Sequence, residues 1–230
     1  MLPLRYILRS IGRRPVRALL TMGGIALAIF LSVAMIGLSR GLMACTRAGA
    51  SPDTVIALSL GAESMEFSAI DPSDVAILRS ASLVQQPGQQ LGQQPGQQPG
   101  PEPLVSPESL VSTFIGFNDP TQEIRRGVVR GVLPVAAQVH QHVRVEQGRW
   151  PERGFEVMIG RLAATKLAIP ATDLAIGRTV TYEEQTWTIV GVFTAGGASF
   201  EAEVWSHLDD VQVATKRTDY SAVVMRTANR

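Results

Sequence analysis

Cysteine and histidine are scarce in this sequence. Its single cysteine, Cys45, excludes an internal disulfide, so a folded domain must be held together by its hydrophobic core. Two of the three histidines, His140 and His142, share one face of a predicted strand and could offer two metal ligands. A zinc site needs further ligands from distant parts of the chain, so we expect this pair to lie at the surface. The sequence predicts no metal site.

The motifs of common nucleotide-binding and hydrolytic sites are also absent. The chain has no Gly-x-x-x-x-Gly-Lys-Ser/Thr loop for ATP, no Gly-x-Ser-x-Gly elbow and no His-Glu-x-x-His pair. Adjacent acids at 183–184 and 209–210 point apart, which suits a turn and a helix N-terminus better than acid–base catalysis. Glu201 and Glu203 would share a face of an extended segment, and we expect both to be exposed to solvent. We predict no catalytic residues, no cofactor and no enzymatic activity in this chain.

The sequence has one long apolar run. Residues 18–39 carry no charge, and as a helix they span roughly 33 Å, enough to cross the ~30 Å hydrocarbon core of a bilayer. The apolar part of a secretory signal is only ~7–15 residues long, so the length favours a helix that stays in the membrane. The alternatives are cleavage at the small residues 48–50 and lipid attachment at Cys45 in a lipobox-like segment.

Positive charge is concentrated before this run. Residues 1–17 carry a net charge of +5, from Arg5, Arg9, Arg13, Arg14 and Arg17, whereas the rest of the chain carries −4. The positive-inside rule therefore places the N-terminus in the cytoplasm and residues 40–230 outside the cell (inner) membrane. Residues 1–17 predict a basic amphipathic arm on the lipid surface, with Leu8 on its apolar side, or a plain topology signal. No basic surface for nucleic acid is predicted.

Small residues recur along one side of the predicted membrane helix. Gly24, Ala28 and Ser32 are spaced four residues apart and predict a ridge on which another helix can pack closely. The chain has no second apolar run of this length, so the partner helices would belong to another segment or chain.

The region from residue 40 to 230 has the pattern of a mixed α+β domain. Strands are predicted at 54–60, 110–117, 127–133, 179–182, 186–193 and 221–226. Helices are predicted after an N-capping Asp71, over 160–167, and from a capping box at Ser206 to about Lys216. The fold class is therefore α+β, with an N-terminal arm (1–17) and a membrane helix (18–39) before the outer domain.

A Gln-Gln-Pro-Gly repeat interrupts the outer domain. It reads QQPGQQLGQQPGQQPG over residues 85–100 and has no apolar face to bury. We interpret residues 85–103 as a disordered insert at a loop tip. The alternative is a polyproline-type ligand for a partner protein.

Several segments, taken in order, resemble the permease subunits of ABC transporters of the macrolide-exporter, lipoprotein-release and FtsX type (type VII). The opening LRYILRSIGRRPVRALLTMGGIALAIFL resembles their arm and first membrane helix. The outer region resembles a MacB-like periplasmic core domain in the segments RGVLP, EQGRWP, EVMIGRLAATKL and WTIVGVFTAGGASFEAEVWSHLDDVQ. The chain departs from the family at Gly177 and Arg178, where Gly-Asp is usual.

The resemblance implies a transport function without catalysis in this chain. Such permeases are driven by a separate cytoplasmic ATPase, which binds the ATP, and act with a second permease chain, identical or different. They carry three further membrane helices, so we expect this outer domain to be incomplete and the chain to be a fragment or a natural truncation. The alternative is a single-pass, membrane-anchored extracytoplasmic binding module without a transport role. A third possibility is a soluble domain exported after cleavage near Ala50.

Overall fold

The computed structural model describes residues 15–49, 51–80, 84, 103–117 and 124–227. The chain divides into two compact units, residues 1–45 and residues 46–230, which are considered separately. Most of the predicted arm and residues 85–102 of the predicted insert lie outside the described residues. Of that insert, Pro103 is described, and it directly precedes a buried strand segment.

The first unit is built on one long helix. Helix α1 runs from Pro15 to Ala48, and its described side chains are exposed along the apolar stretch. Within the described residues it is the one helix long and apolar enough to cross a membrane. It exceeds the predicted span of 18–39 at both ends.

The second unit contains nine strands in its described part, with short helices between them. The strands are β1 (Thr54–Ala57), β2 (Val105–Phe117), β3 (Ile124–Val132), β4 (Arg144–Gly148), β5 (Glu156–Gly160), β6 (Thr179–Tyr182), β7 (Gln185–Thr194), β8 (Val204–His207) and β9 (Ala222–Arg226). The α-helices are α2 (Pro72–Ser80), α3 (Ala136–Val139), α4 (Ala163–Leu167) and α5 (Leu208–Thr215), with 3₁₀ turns at Met65–Phe67, Ala171–Leu174 and Ser199–Ala202. The strand order is β1-β9-β2-β3-β8-β5-β7-β4, and β6 pairs with β2 and β7. The α+β prediction is confirmed.

Strand β2 belongs to two sheets. Its first residues, 105–108, pair with β9 in a small sheet that also contains β1. Its residues 109–116 pair with β3 and so enter the larger sheet. Glu108 is the last residue in the small sheet and Ser109 the first in the larger one. The junction of the two sheets therefore lies within a single continuous strand.

Four apolar clusters support these sheets in the described residues, the smallest of them around Val139 and Val224. The largest surrounds the fully buried Trp187, whose ring stacks on Tyr182 with centroids 4.3 Å apart. A second surrounds Trp205, and a third packs α2 onto the small sheet through Val75. Asp71 precedes α2 and accepts hydrogen bonds from the N–H and hydroxyl of Ser73, so the predicted start of this helix is confirmed.

Two of the predicted strands, 179–182 and 186–193, form a hairpin. Strands β6 and β7 pair antiparallel, with Trp187 and Ile189 buried and the alternate residues facing outward. Both turn residues, Glu183 and Glu184, have positive φ (48° and 59°), the conformation that a two-residue hairpin turn requires. The turn geometry is thus imposed by the paired strands, because glutamate does not favour it.

Other predicted elements differ from the structure. Residues 160–167 do not form one helix, since Gly160 ends strand β5 and α4 begins at Ala163. Ser206 is not a helix cap. It lies in strand β8, and its hydroxyl donates to the carbonyl of Glu156. His207 caps α5 instead, because its Nδ1 accepts from the N–H of Asp209. Strands β5 and β8 are short, and each pairs with one parallel and one antiparallel neighbour. Their sequences therefore lack the alternation of apolar and polar residues that would predict a strand.

Candidate functional site

The junction of the two sheets holds a buried cluster of charged side chains. Arg130, on β3, reaches both sides of the junction. Its Nη1 donates to Glu108 Oε2 at 2.7 Å. Its Nε and Nη2 donate to the two carboxylate oxygens of Glu203 at 2.7 and 2.9 Å. All three side chains are at least nine-tenths buried. One guanidinium thus joins the small sheet, through Glu108, to the segment that enters β8.

His140 extends this cluster on the side of the small sheet. It follows the short helix α3, and its Nε2 lies 2.6 Å from Glu108 Oε1. Its ring meets the rings of Trp205 and Phe200 edge-on, with centroids 5.3 and 5.6 Å apart. The predicted surface pair is therefore wrong, because only His142 is exposed and His140 is not on a strand.

Trp205 closes the cluster against the core. Its indole Nε1 donates to Glu203 Oε2 at 3.1 Å, and the Arg130 guanidinium lies 5.7 Å from the centre of its ring. Trp150 and Phe193 pack against the same ring, at centroid distances of 6.1 and 4.9 Å. This aromatic wall excludes water from the ion pairs and strengthens their attraction.

The attraction between the charged side chains outweighs the desolvation cost of burying them. Burial alone would raise the pKa of Glu108, but the charges and hydrogen bonds of His140 and Arg130 lower it to about 2. Burial would likewise lower the pKa of Arg130, and its two carboxylate partners raise it above the ordinary value instead. Glu108 and Arg130 are therefore ionised at neutral pH. Glu108 is shared by Arg130 and His140, and Glu203 pairs with Arg130, so the basic side chains of the cluster are already engaged by its own carboxylates.

A second buried carboxylate holds the turn after β7. Glu201 is fully buried and accepts hydrogen bonds from Arg161, Thr194 and the N–H of Gly197, at 3.0, 3.0 and 2.6 Å. Burial would raise its pKa, but the backbone N–H groups and these side chains lower it. The N–H of Gly197 is directed at this internal carboxylate, which supports a structural bend at Gly196 and Gly197.

The predicted exposure of two glutamates is therefore wrong. Glu201 and Glu203 are both buried, because each is hydrogen-bonded and paired with an arginine from a distant segment. Such partners are invisible to local sequence patterns. One signal was available, since Arg130 stands alone in the otherwise apolar strand sequence GVVRGV. A charge inside such a strand requires a buried partner.

The chemistry of the cluster is structural. The donors and acceptors of Arg130, Glu108, Glu203 and His140 are paired with one another. In the described part of the chain, no group of three or more His, Cys, Asp or Glu side chains could hold a metal ion. The cluster can fix the angle between the two sheets, and we regard it as the mechanical centre of this unit.

The residues predicted to act in the membrane lie on α1. Gly24, Ala28 and Ser32 follow one face of that helix, and the Ser32 hydroxyl donates to the carbonyl of Ala28 at 2.8 Å. A side chain added at Gly24 would contact nothing in this chain. Arg17 lies in the first turns of α1 and is exposed, whereas Arg5, Arg9, Arg13, Arg14 and Leu8 lie outside the described residues. Helix packing and topology stay predictions for these residues.

These features define a class of protein: a membrane-anchored domain of extracytoplasmic type, built around structural ion pairs. The family model of the MacB-like periplasmic core domain matches residues 18–230, so the chain belongs to this family. It is accordingly a permease-type domain of the MacB/FtsX-like (type VII) ABC transporters. A search of curated protein sequences gave no significant match.

Two solved structures share the fold. The periplasmic region of MacB from Actinobacillus actinomycetemcomitans superimposes with a TM-score of 0.56 at 14% identity, covering 79% of this chain and 77% of that one. The extracellular domain of the noncanonic ABC-type transporter YknZ from Gram-positive bacteria gives a TM-score of 0.53 at 16% identity, covering 76% and 84%. At these identities the likeness establishes the fold.

Proposed function

We propose that this chain is a permease subunit, or the N-terminal part of one, that couples ATP hydrolysis by a separate cytoplasmic ATPase to motion of its outer domain. The observation that carries the proposal is the family match, which extends from residue 18, in the apolar helix, to residue 230. The chain itself has no P-loop for ATP. The motion would serve export or extraction of a substrate at the outer face of the membrane.

The proposed role of α1 is to carry motion to the outer domain. By the positive-inside rule, the N-terminal arginines favour a cytoplasmic N-terminus, on the side proposed for the ATPase. The buried cluster around Arg130 supports this role. It links the two sheets of the outer domain, so a displacement of one sheet would move the other instead of bending the junction. A lever needs such a stiff junction to transmit force.

The proposed role of the ridge on α1 is to seat further permease helices. Gly24 and Ala28 present little side chain, so the backbone of another helix can approach closely. A second permease chain, identical or different, and three further membrane helices are the proposed partners. Changing both residues to leucine should fill the ridge and weaken assembly, while membrane insertion is kept because both changes raise hydrophobicity.

Co-purification tests this proposal. The full-length chain is expressed with the cytoplasmic ATPase, with and without a three-helix permease half, and is recovered from membranes in detergent. We expect the ATPase to be recovered only when the three-helix half is present, and recovery to fall in the Gly24→Leu/Ala28→Leu variant. Gly37→Leu is the matched control, because Gly37 lies on the side of the helix opposite Ala28. Equal recovery of the ATPase with and without the three-helix half, or none in either case, would favour the anchored binding module.

A further inference from the structure

The small sheet ends at β1 and the larger sheet at β4, and these two edge strands differ in how they are protected against pairing with another chain. At one edge, β4 carries Arg144 and Glu146, and a bulge interrupts its pairing with β7 between Val145 and Gln147. Charges and bulges are the usual devices that keep an edge strand from pairing with another chain. At the other edge, β1 has the sequence Thr-Val-Ile-Ala and carries neither device. In the described residues β1 pairs with β9 on one side, and no strand pairs with its other side.

An apolar surface adjoins the free side of β1. Leu60 is fully exposed, Phe67 is 81% exposed and Ile77 is 68% exposed. A groove of about 350 Å³ runs between β1 and α2, lined in part by Ala57, Leu58, Ile77 and Leu78. Such a concentration of large apolar side chains is typical of a surface that binds another polypeptide.

The topology explains why this surface is uncovered. Strands β1 and β2 run parallel with β9 between them, and α2 connects them, which is a split β-α-β unit. One helix covers only part of a three-stranded sheet. Val75 of α2 is buried against Val105 and Val223, whereas the side next to β1 is left as the groove.

The rim of this surface is acidic. Asp74 lines the groove, Glu63, Glu66 and Asp71 are exposed in the same segment of the chain, and no lysine, arginine or histidine occurs from Thr54 to Leu78. A second copy of the chain would bring the same acidic rims together, which is unfavourable. Anionic lipid headgroups are unfavourable for the same reason. A basic partner is complementary in charge.

We propose that β1 is a docking edge for an extended segment of a partner protein that has alternating apolar residues and flanking lysines or arginines. The segment adds a strand to β1 through backbone hydrogen bonds. Its apolar side chains on one face lie beside Val55 and Ala57 and enter the groove next to Ile77, while its basic residues meet the acidic rim. The proposal stands on the surface of the second unit alone and does not depend on recruitment of an ATPase.

Site-specific photocrosslinking of the full-length chain in its own cells tests this docking edge. The photoreactive residue p-benzoylphenylalanine replaces Leu60 or, separately, Ile77, and the control position is Val145 on the protected edge β4. We expect one protein adduct from the first two positions and none from the control. Mass spectrometry of the crosslinked peptide should show alternating apolar residues with lysine or arginine at its ends.

Variants of the surface separate specific docking from chance contact. Val55→Lys gives β1 the charge that edge strands use against pairing, and should abolish the adduct. Glu66→Lys combined with Asp74→Lys should lower its yield about fivefold or more, as expected for loss of a contact charge pair. Unchanged tryptophan fluorescence would show that these variants remain folded. An adduct with the mass of two copies, a lipid adduct, no adduct, or a crosslinked segment without basic residues would each overturn the proposal.

Discussion

Removing the guanidinium at the sheet junction should destabilise the outer domain strongly. Arg130→Met keeps an unbranched side chain of similar length but leaves Glu203 buried without its cation and Glu108 with only His140 beside it. Removing one partner of a buried ion pair costs about 3–5 kcal/mol, because the remaining charge stays desolvated. Glu203 loses its ion-pair partner here, so we expect a cost within that range. A domain of ordinary stability has about 5–15 kcal/mol in total, so this variant approaches unfolding.

Urea unfolding of the full chain in detergent measures this effect. All three tryptophans lie in the outer domain, and Trp205 contacts Arg130 directly, so fluorescence follows the unfolding of that domain. Arg126→Met is the matched control on the same strand, because Arg126 is exposed and donates to Ser112. It should change the free energy of unfolding by no more than about 1 kcal/mol.

A compensated variant separates the charge effect from packing. Arg130→Met combined with Glu108→Gln and Glu203→Gln removes the charges of both ion pairs that Arg130 makes, and should recover part of the lost stability. If Arg130→Met were no more destabilising than Arg126→Met, the cluster would not be the structural centre that its geometry indicates. If the triple variant were less stable than Arg130→Met, unpaired charge would not be the cause.

Three further predictions concern other parts of the outer domain. The pKa of Glu108 is lowered from 4.5 to about 2, so its ionised form stabilises the fold above pH 4.5, and this stability is lost as the pH falls towards 2. Glu108→Gln should therefore be less stable than the parent chain at pH 7. In urea unfolding, its stability should also change less with pH. Gly160→Ala would place a Cβ 2.1 Å from the carbonyl oxygen of Glu201 and should cost about 1–3 kcal/mol, whereas Gly37→Ala, where the space is open, should leave the midpoint unchanged. Deleting residues 85–100 should shift the free energy of unfolding by less than about 0.5 kcal/mol, and a large drop in the thermal midpoint would show that the repeat packs.

Local sequence patterns were sufficient for the elements whose cause is local. The apolar run before Arg40 is long enough to predict a membrane helix, because hydrophobic length alone decides insertion. The start of α2 was predictable from Asp71, since a cap acts over a few residues. The β6–β7 hairpin followed from alternation around a short polar turn. The order of several short segments also indicated the family.

The buried cluster around Arg130 could not be predicted from local sequence patterns, because its contacts join residues that are far apart in the chain. Strands β5 and β8 lie inside the larger sheet, where both faces are covered and alternation disappears. The local sequence around Glu203 predicts an exposed side chain. Glu203 is buried because the pairing of β3 with β8 brings Arg130 beside it. Glu108 and His140 likewise come together only after β2 crosses from one sheet to the other.

The sequence by itself determined the membrane helix, the α+β class and the absence of the common catalytic motifs, because these follow from composition and short-range periodicity. Only the tertiary structure decided which charges are buried and which strand edge is left open. Burial of a charge is favourable only when its partner is present, and the partners here are separated by 22 to 73 residues along the chain. The free edge of β1 is likewise a property of strand order, which long-range pairing alone establishes.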